Sequence, residues 1–475
     1  MALIRPALAP ASRQSLRPAP SLRPDPAGGP APSLRPAPVV RPPDGCLSVW
    51  PSSARTAPGG DIAVGGVPLA SLAEQYGTPV HVLDEGEVRE RCRTYRSAFP
   101  EADVVYAAKA FLCRAVAQWV RDEGLGLEVC SARELGLAVE AGFPAERIVM
   151  HGRAGGPEDL RAAVRHGVGR IVIDSTAEIA RLAALVPPGG RQQVLLRVVP
   201  GVATAGPAAV RDGTEDRASG LSVTDGSARH AVARVLARPQ LRLVGLHCHI
   251  GSQIDSVKPY QAALRRMIGL MAKIRDQYGV ELPQLDLGGG HAIAHRPGET
   301  ALDLPALARR VRAELADGCA RVGLSVPRLT LEPGRAVTGP AGVTVHRVLA
   351  VEQRSDHTVV AVDGGTGELP GPDLHGVRHT ARLIGRHTTA ARRQATVVVR
   401  RSEAGQVLAA DVSLPSDLRP GDLLAVPAVG AYHLPPAAAD SPAGRTPVVA
   451  VAEGRTRVLV HREPPSEPTH GDAGR

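Results

Sequence analysis

The sequence predicts an α/β protein: a (β/α)8 barrel followed by a second, all-β domain with a barrel-like fold. Three observations predict it. From about residue 68 to residue 331, short apolar runs alternate with amphipathic stretches, the pattern of a parallel sheet covered by helices. Eight such units follow one another in about 230 residues, which suits a closed barrel better than the alternative, an open doubly wound sheet. After Pro333 the helical period disappears, and short β-rich runs punctuated by Gly, Pro and Asp take over.

In chain order, residues 1–60 are low in complexity: Ser15-Leu16-Arg17-Pro18-Ala19-Pro20 is echoed at 21–26 and 33–38. Such a Pro-rich tract buries too little surface to fold and is expected to be a disordered or polyproline-like tail. The barrel domain is expected over 61–335, with 61–85 packing against the β domain. A helix over 69–76 leads through Gly77-Thr78-Pro79 to a strand at 80–83 and a helix near 88–99. Barrel strands follow at 104–107, 126–130, 147–150, 170–173, 193–198, 242–248, 284–287 and 328–331. Helices near 111–122, 131–141, 157–166, 175–185, 227–237, 256–278 and 301–317 separate them. The β domain is expected over 336–462, from runs at 342–351, 357–363, 379–385, 395–400, 407–413, 423–426, 447–451 and 456–461, and 463–475 reads as a polar tail.

Composition excludes several classes of function. The formal charge of +9 is concentrated in residues 1–60, where seven Arg face Asp25 and Asp44, a surplus of five that leaves four for the rest. With 2% aromatics there are no base-stacking residues beside basic runs, so nucleic acid is not the expected partner. No apolar run is long enough to span a membrane, and the Pro-broken N-terminus lacks the apolar core of a signal peptide. Six scattered cysteines without a Cys-x-x-Cys pair fit reduced thiols, and the expected location is the cytoplasm.

Chemistry is expected where the barrel strands end. The first strand ends at Lys109, one of three lysines (with Lys258 and Lys273) in a chain whose other cations are arginines. Arginine cannot lose its proton, whereas a desolvated lysine can, and its amine then attacks carbonyls. A lysine snorkelling at a strand end is the plainer alternative. Later strand ends carry Glu128, His151, Asp174, Arg197, His247 and His249, Gly288-Gly289-Gly290, and Glu332. Three glycines let backbone N–H groups approach an anion, or simply make a tight turn. The two imidazoles of His247-Cys248-His249 share a strand face, open to metal ligation, to stacking on a flat cofactor, or to a structural hydrogen bond. Glu332-Pro333-Gly334-Arg335 offers a carboxylate for a heterocyclic nitrogen and a guanidinium for a carboxylate or phosphate. Taken jointly, these are the parts needed to hold pyridoxal 5′-phosphate (PLP) as a Schiff base, with no metal required.

From about residue 65 to 462 the sequence resembles the fold-type III PLP-dependent decarboxylases, most closely the diaminopimelate decarboxylases. The matching stretches are Tyr76-Gly77-Thr78-Pro79, YAAKA (106–110), HG (151–152), GLHCHIGSQI (245–254), LDLGGG (285–290), EPGR (332–335), DGG (363–365) and GAY (430–432). The resemblance implies that Lys109 carries PLP, that His249 stacks on its ring and that Glu332 faces the pyridine nitrogen. It places Ser222, Gly289, Gly290, Arg335 and Tyr432 around the phosphate or the substrate. It further implies a small amino-acid substrate, conversion of meso-2,6-diaminopimelate to L-lysine and CO2, and a head-to-tail homodimer whose active sites are built from both chains.

The substrate side departs from the family pattern. Where the family has Cys-Glu-Ser-Gly-Asp, this chain reads Ser402-Glu403-Ala404-Gly405-Gln406, so Ser402 stands in place of the usual proton donor and Glu403 remains. Gly371 stands where the family carries a substrate-binding Arg, and the run before Ser222 is Ala218-Ser219-Gly220-Leu221. His291-Ala292 follows the Gly triplet, and His433 follows Tyr432, both off-pattern. The divergence leaves two alternatives: a PLP-dependent decarboxylase of another amino acid in specialised metabolism, or a catalytically impaired PLP-binding paralogue.

Overall fold

A computed structural model describes residues 47–152, 156–203, 220–354, 357–364, 378–399, 407–432 and 446–463. The described chain opens with Val49 and Trp50, buried with Ile62, Leu69 and Val82. A short antiparallel meander follows, β1 (Arg55–Thr56), β2 (Ile62–Val64) and β3 (Val67–Pro68), then α1 (Leu69–Tyr76). The Pro-rich tail boundary at residue 60 is therefore too late. Residues 47–60 belong to the fold, because the Trp50 indole and its neighbours are covered by the sheet rather than left in water.

Strand β4 (Val80–Asp84) leads into α2 (Glu85–Ala98), whose first turn is capped by Asp84, its Oδ1 accepting from the Glu87 N–H at 3.1 Å. The barrel comes next: β5 (Asp103–Ala107), α3 (Arg114–Asp122), β6 (Gly126–Val129), α4 (Ala132–Glu140), β7 (Ile148–His151), α5 (Pro157–His166), β8 (Arg170–Ile173), α6 (Thr176–Leu185) and β9 (Gln192–Val199). After the short β10 (Leu221–Ser222) come α7 (Ser227–Leu236), β11 (Leu241–His247), α8 (Lys258–Tyr278), β12 (Gln284–Asp286), α9 (Leu304–Val322) and β13 (Arg328–Leu331). Every barrel pairing is parallel, and β13 closes onto β5. The closed barrel replaces the open doubly wound alternative.

Strand alternation sorts the barrel interior into levels. At the strand starts, Arg170 Nη1 donates to Asp103 Oδ2 at 3.3 Å and to Gln284 Oε1 at 3.0 Å. Above them Val105, Val149, Val172, Leu195 and Val244 form a compact apolar plug. Two residues further along β7 and β9 stand His151 and Arg197, both buried. In β11 simple alternation from Val244 would turn His247 outward; a register shift between Leu243 and Gly245 supplies the extra residue that turns it in.

Beyond α10 (Arg335–Thr338) the chain builds β14 (Gly342–Gln353), β15 (Thr358–Val362), β16 (Arg382–Ile384), β17 (Arg392–Val399), β18 (Val407–Pro415), β19 (Leu423–Pro427), β20 (Val448–Ala452) and β21 (Arg455–Val460). One sheet runs in the order β18-β17-β15-β14-β4-β20-β21, with β19 joining β14 to β16. Strand β4 thus lies inside this sheet, antiparallel to β14 and parallel to β20. Two apolar cores flank it: one includes Val82, Val343 and Val449, the other Val360, Val397 and Leu424. Among the described residues no helix is long and apolar enough to cross a membrane.

Candidate active site

Lys109 sits in a single 3-10 turn (Ala108–Ala110) directly after β5, with its side chain 39% exposed. Its Nζ donates to Glu128 Oε1 at 3.1 Å, and Glu128, on β6, is fully buried. Burial alone would lower the Lys109 ammonium's pKa, but Glu128, Tyr432, Cys130 and Glu332 outweigh it and hold it above its ordinary value. This corrects the expectation of a lysine activated by desolvation: in the cofactor-free protein the amine is kept charged by an ion pair.

A second carboxylate lies beyond the first. Glu332, just past β13, accepts from His151 Nε2 at 3.0 Å through Oε1 and from His247 Nε2 at 3.1 Å through Oε2. Burial would raise its pKa, yet the two imidazoles hold it well below the carboxylate range, so it is anionic. His151 Nε2 also lies 3.8 Å from Glu128 Oε1, and the His151 and His247 rings meet edge-on at 4.8 Å. Asp286 completes the group: burial first, and the Glu332 charge second, push its carboxyl up to about 8.

One donor atom from each of His151, His247 and Glu332 lies within 4.8 Å of the others, a spacing that a metal ion could also use. The pairing expected for a metal from the sequence was His247 with His249; the structure instead groups His247 with His151 and Glu332. Direct hydrogen bonds already satisfy both carboxylate oxygens without an ion.

The glycine triplet is fixed by its neighbours. An added Cβ would lie 2.7 Å from Cys248 O at Gly288, 2.2 Å from Glu332 O at Gly289 and 2.1 Å from Gly251 O at Gly290. The Gly289 N–H points to His249 Nδ1 at 3.4 Å, which seats His249 against the triplet. Burial, then the charges of Lys109, Arg197 and His247, hold that imidazole well below its ordinary pKa, so a neutral flat ring faces the lysine. Tyr260, inside α8, donates to Gly289 O at 3.0 Å and braces the turn from behind.

Arg335 opens α10 and is 6% exposed, its guanidinium carbon 4.8 Å from the centre of the Tyr432 ring. Its Nε and Nη2 are buried with no hydrogen-bond partner. A buried cation with two idle donors calls for an anion. Tyr432 has a positive φ of 63° and donates its N–H to Ala110 O at 2.8 Å, tying the end of the β sheet to the lysine turn. Ser222 ends the short β10 before α7, its Oγ accepting from the N–H groups of Thr224 at 3.0 Å and Asp225 at 3.3 Å. Ser402, Glu403, Gly371, Ala218, Ser219 and His433 lie outside the described residues. A cavity of about 750 Å³ opens beside Lys109, lined also by Phe111, Arg133, Leu137, Arg457 and His461.

The residues present fit PLP: a lysine at the cavity edge, an anionic Glu332, a neutral flat His249, a side-chain-free turn and a guanidinium lacking an anion. The profile of the family described as "Pyridoxal-dependent decarboxylase, pyridoxal binding domain" matches residues 85–339. The chain belongs to that family. Its cofactor is PLP and its chemistry that of a PLP-dependent carboxy-lyase. Among curated members, a diaminopimelate decarboxylase from Actinosynnema pretiosum subsp. auranticum is 52% identical over 415 residues, 87% of this chain and 93% of that relative. One from Mycobacterium bovis is 40% identical over 427 residues, 88% of this chain and 96% of the relative. The solved diaminopimelate decarboxylase from M. jannaschii superposes with a TM-score of 0.79 at 24% identity, covering 87% of this chain and 96% of that one, a likeness of fold.

Within this decarboxylase frame, sequence reasoning named Glu128 and His151 only as rim residues and missed what they touch. The signal was present in the strand pairing: Glu128 lies opposite Ala107, on the strand next to Lys109, and His151 lies one strand beyond, two residues past Val149, the partner of Glu128. Asp286 was missed altogether, and its only signal was a charge between Leu285 and Leu287 just before the glycine triplet.

Proposed function

We propose that this PLP-dependent decarboxylase converts meso-2,6-diaminopimelate to L-lysine and CO2. The observation that carries the reading is 52% identity to a diaminopimelate decarboxylase across 93% of that relative's length, joined to an intact PLP cradle. PLP, when bound, supplies the electron sink that accepts the pair left as the Cα–carboxylate bond breaks. Lys109 would hold the cofactor through its amine. Anionic Glu332 would favour a proton on the ring nitrogen, His249 would lie against the ring, and Gly289 and Gly290 would leave room for the phosphate. Arg335, with Tyr432 and Ser222, holds phosphate or substrate carboxylate. Ser402 and Glu403 finish the reaction from a partner chain, in a cytoplasmic homodimer with shared sites.

The test is CO2 release from meso-diaminopimelate by the purified holoenzyme, with formation of L-lysine. Steady release that Lys109→Ala abolishes is the expected result. Full PLP loading without CO2 release from any diamino acid overturns it. The replacements at Ser402 and Gly371 favour one second reading, a PLP-binding paralogue with impaired turnover; restoring Cys at 402 and Arg at 371 then raises the rate.

A further inference from the structure

Glu128 is a carboxylate with an unfilled role. Strand β6 points it into the barrel with no exposure, Oε1 takes Lys109 Nζ at 3.1 Å, and Oε2 is buried with no hydrogen-bond partner. The other carboxylate at this level, Glu332, has one imidazole on each oxygen and no vacancy facing the lysine. Cys130 Sγ lies 3.4 Å from Glu128 Oε1, and His151 Nε2 stays at 3.8 Å, committed to Glu332. The remaining groups acting on the lysine–Glu128 pair or on Glu332 are Tyr432, Glu134, His249, His247 and Asp286, with Arg197 beyond them acting on His249.

A lysine must be a neutral amine to bond to the PLP aldehyde, and here it starts as an ammonium. We propose that Glu128 is a further catalytic residue, the acceptor and store of the proton that Lys109 sheds each time it bonds to the cofactor. The Nζ–H bond breaks and leaves its electron pair on nitrogen, while an O–H bond forms on Glu128 Oε1. An ion pair becomes a neutral amine beside a neutral acid, so no uncompensated charge is left in the barrel. The lone pair then forms the bond to the aldehyde carbon, and the aldehyde oxygen leaves as water, carrying the two protons that remain on Nζ. When the substrate amine displaces Lys109, the same proton returns from Glu128 to Nζ, and the lysine is parked as an ammonium. The carboxylate therefore serves both the loading of the cofactor and the release of the lysine.

This inference rests on the PLP reading, and the experiment separates the two. Cofactor-free wild type, Glu128→Gln and Glu128→Asp are mixed rapidly with PLP, and growth of the visible band of the lysine-linked cofactor is followed from neutral pH into alkali. Binding of pyridoxine 5′-phosphate, which has the ring and the phosphate but no aldehyde, is measured alongside. Glu128→Gln is expected to bind pyridoxine phosphate as wild type does, yet to capture PLP about 100-fold more slowly near neutrality, the gap closing in alkali where hydroxide takes the proton. Glu128→Asp, with its carboxylate drawn back by one methylene, falls between. Should the amide variant lose the cradle, the Asp variant decides, being slower than wild type near neutrality and equal to it in alkali.

Capture by Glu128→Gln as fast as wild type or faster near neutrality overturns the proposal. That is the outcome if Glu128 only holds the ammonium, since removing its charge frees the amine. An Asp variant as fast as wild type near neutrality overturns it equally. If wild type itself neither binds pyridoxine phosphate nor develops the band, both readings fall together.

Discussion

Arg335 stacks on Tyr432 across the joint between barrel and sheet, its guanidinium carbon 4.8 Å from the ring centre while Nε and Nη2 are buried without a partner. Burial lowers its pKa, with Tyr432 partly compensating. Before ligand arrives, the guanidinium is a cost to the fold. Arg335→Met is expected to leave the cofactor-free protein as stable or about 1–2 kcal/mol more so, while weakening the anionic ligand about 10- to 100-fold. Urea unfolding of the cofactor-free protein and titration with PLP or substrate give the two numbers. Loss of stability without loss of affinity would contradict the assignment.

Glu332 is the anion that two imidazoles clamp. Glu332→Gln gives one of them an NH2 group where it had an acceptor, and about 2–4 kcal/mol of stability is expected to go. The carboxyl pKa is lowered in the fold, so its contribution is present above the unfolded value of about 4.3 and is lost as pH falls through the folded value. The variant should therefore differ most from wild type at neutrality and converge with it in acid, as followed by unfolding midpoints across pH.

His291 gives a second acid-sensitive element, in a different window. Its ring stacks on Tyr95 at 5.5 Å, its Nδ1 lies 2.7 Å from the Tyr95 hydroxyl, and burial lowers its pKa to about 4. Between an unfolded value near 6.5 and that folded value, only the unfolded chain takes the proton, so stability falls as pH falls, by about 3 kcal/mol in all. His291→Gln, which keeps an acceptor for the hydroxyl, should flatten that slope. An unchanged slope would place the acid sensitivity elsewhere.

Two glycine substitutions should act in opposite directions. Gly289→Ala would put a methyl group 2.2 Å from Glu332 O and displace the strand end that carries the carboxylate. PLP binding should be lost with at least about 2 kcal/mol of stability. Gly136, inside α4, has nothing within 4 Å of an added Cβ, and Gly136→Ala should stabilise by about 0.5–1 kcal/mol. Thermal melts of both, with PLP titration of the first, test the pair.

The barrel was legible because each strand is a short apolar run and each helix carries its own period; boundaries such as 170–173 and 157–166 match the structure at both ends. Lys109, His249 and Glu332 were legible as strand-end residues. What the strand pattern does not carry is contact between strands. His151 binding Glu332 depends on barrel closure, which brings residues 181 positions apart within 3.0 Å. His247 turns inward through the register shift near Gly245, which plain alternation does not encode. The order of 47–60 was hidden because its low-complexity neighbourhood masked Val49 and Trp50 as anchors.

Strand β4 has a consequence for the order in which the protein can be made. It is synthesised before any barrel strand, yet its hydrogen-bonding partners are β14 and β20, the second of which pairs Val448 with His81. During translation the barrel can close and β14 can pair with one edge of β4 while the other edge waits, open, for β20 to leave the ribosome. Stop codons placed between residues 354 and 448 should thus yield chains with a finished barrel and an apolar strand open along one edge, prone to aggregate or to need a chaperone.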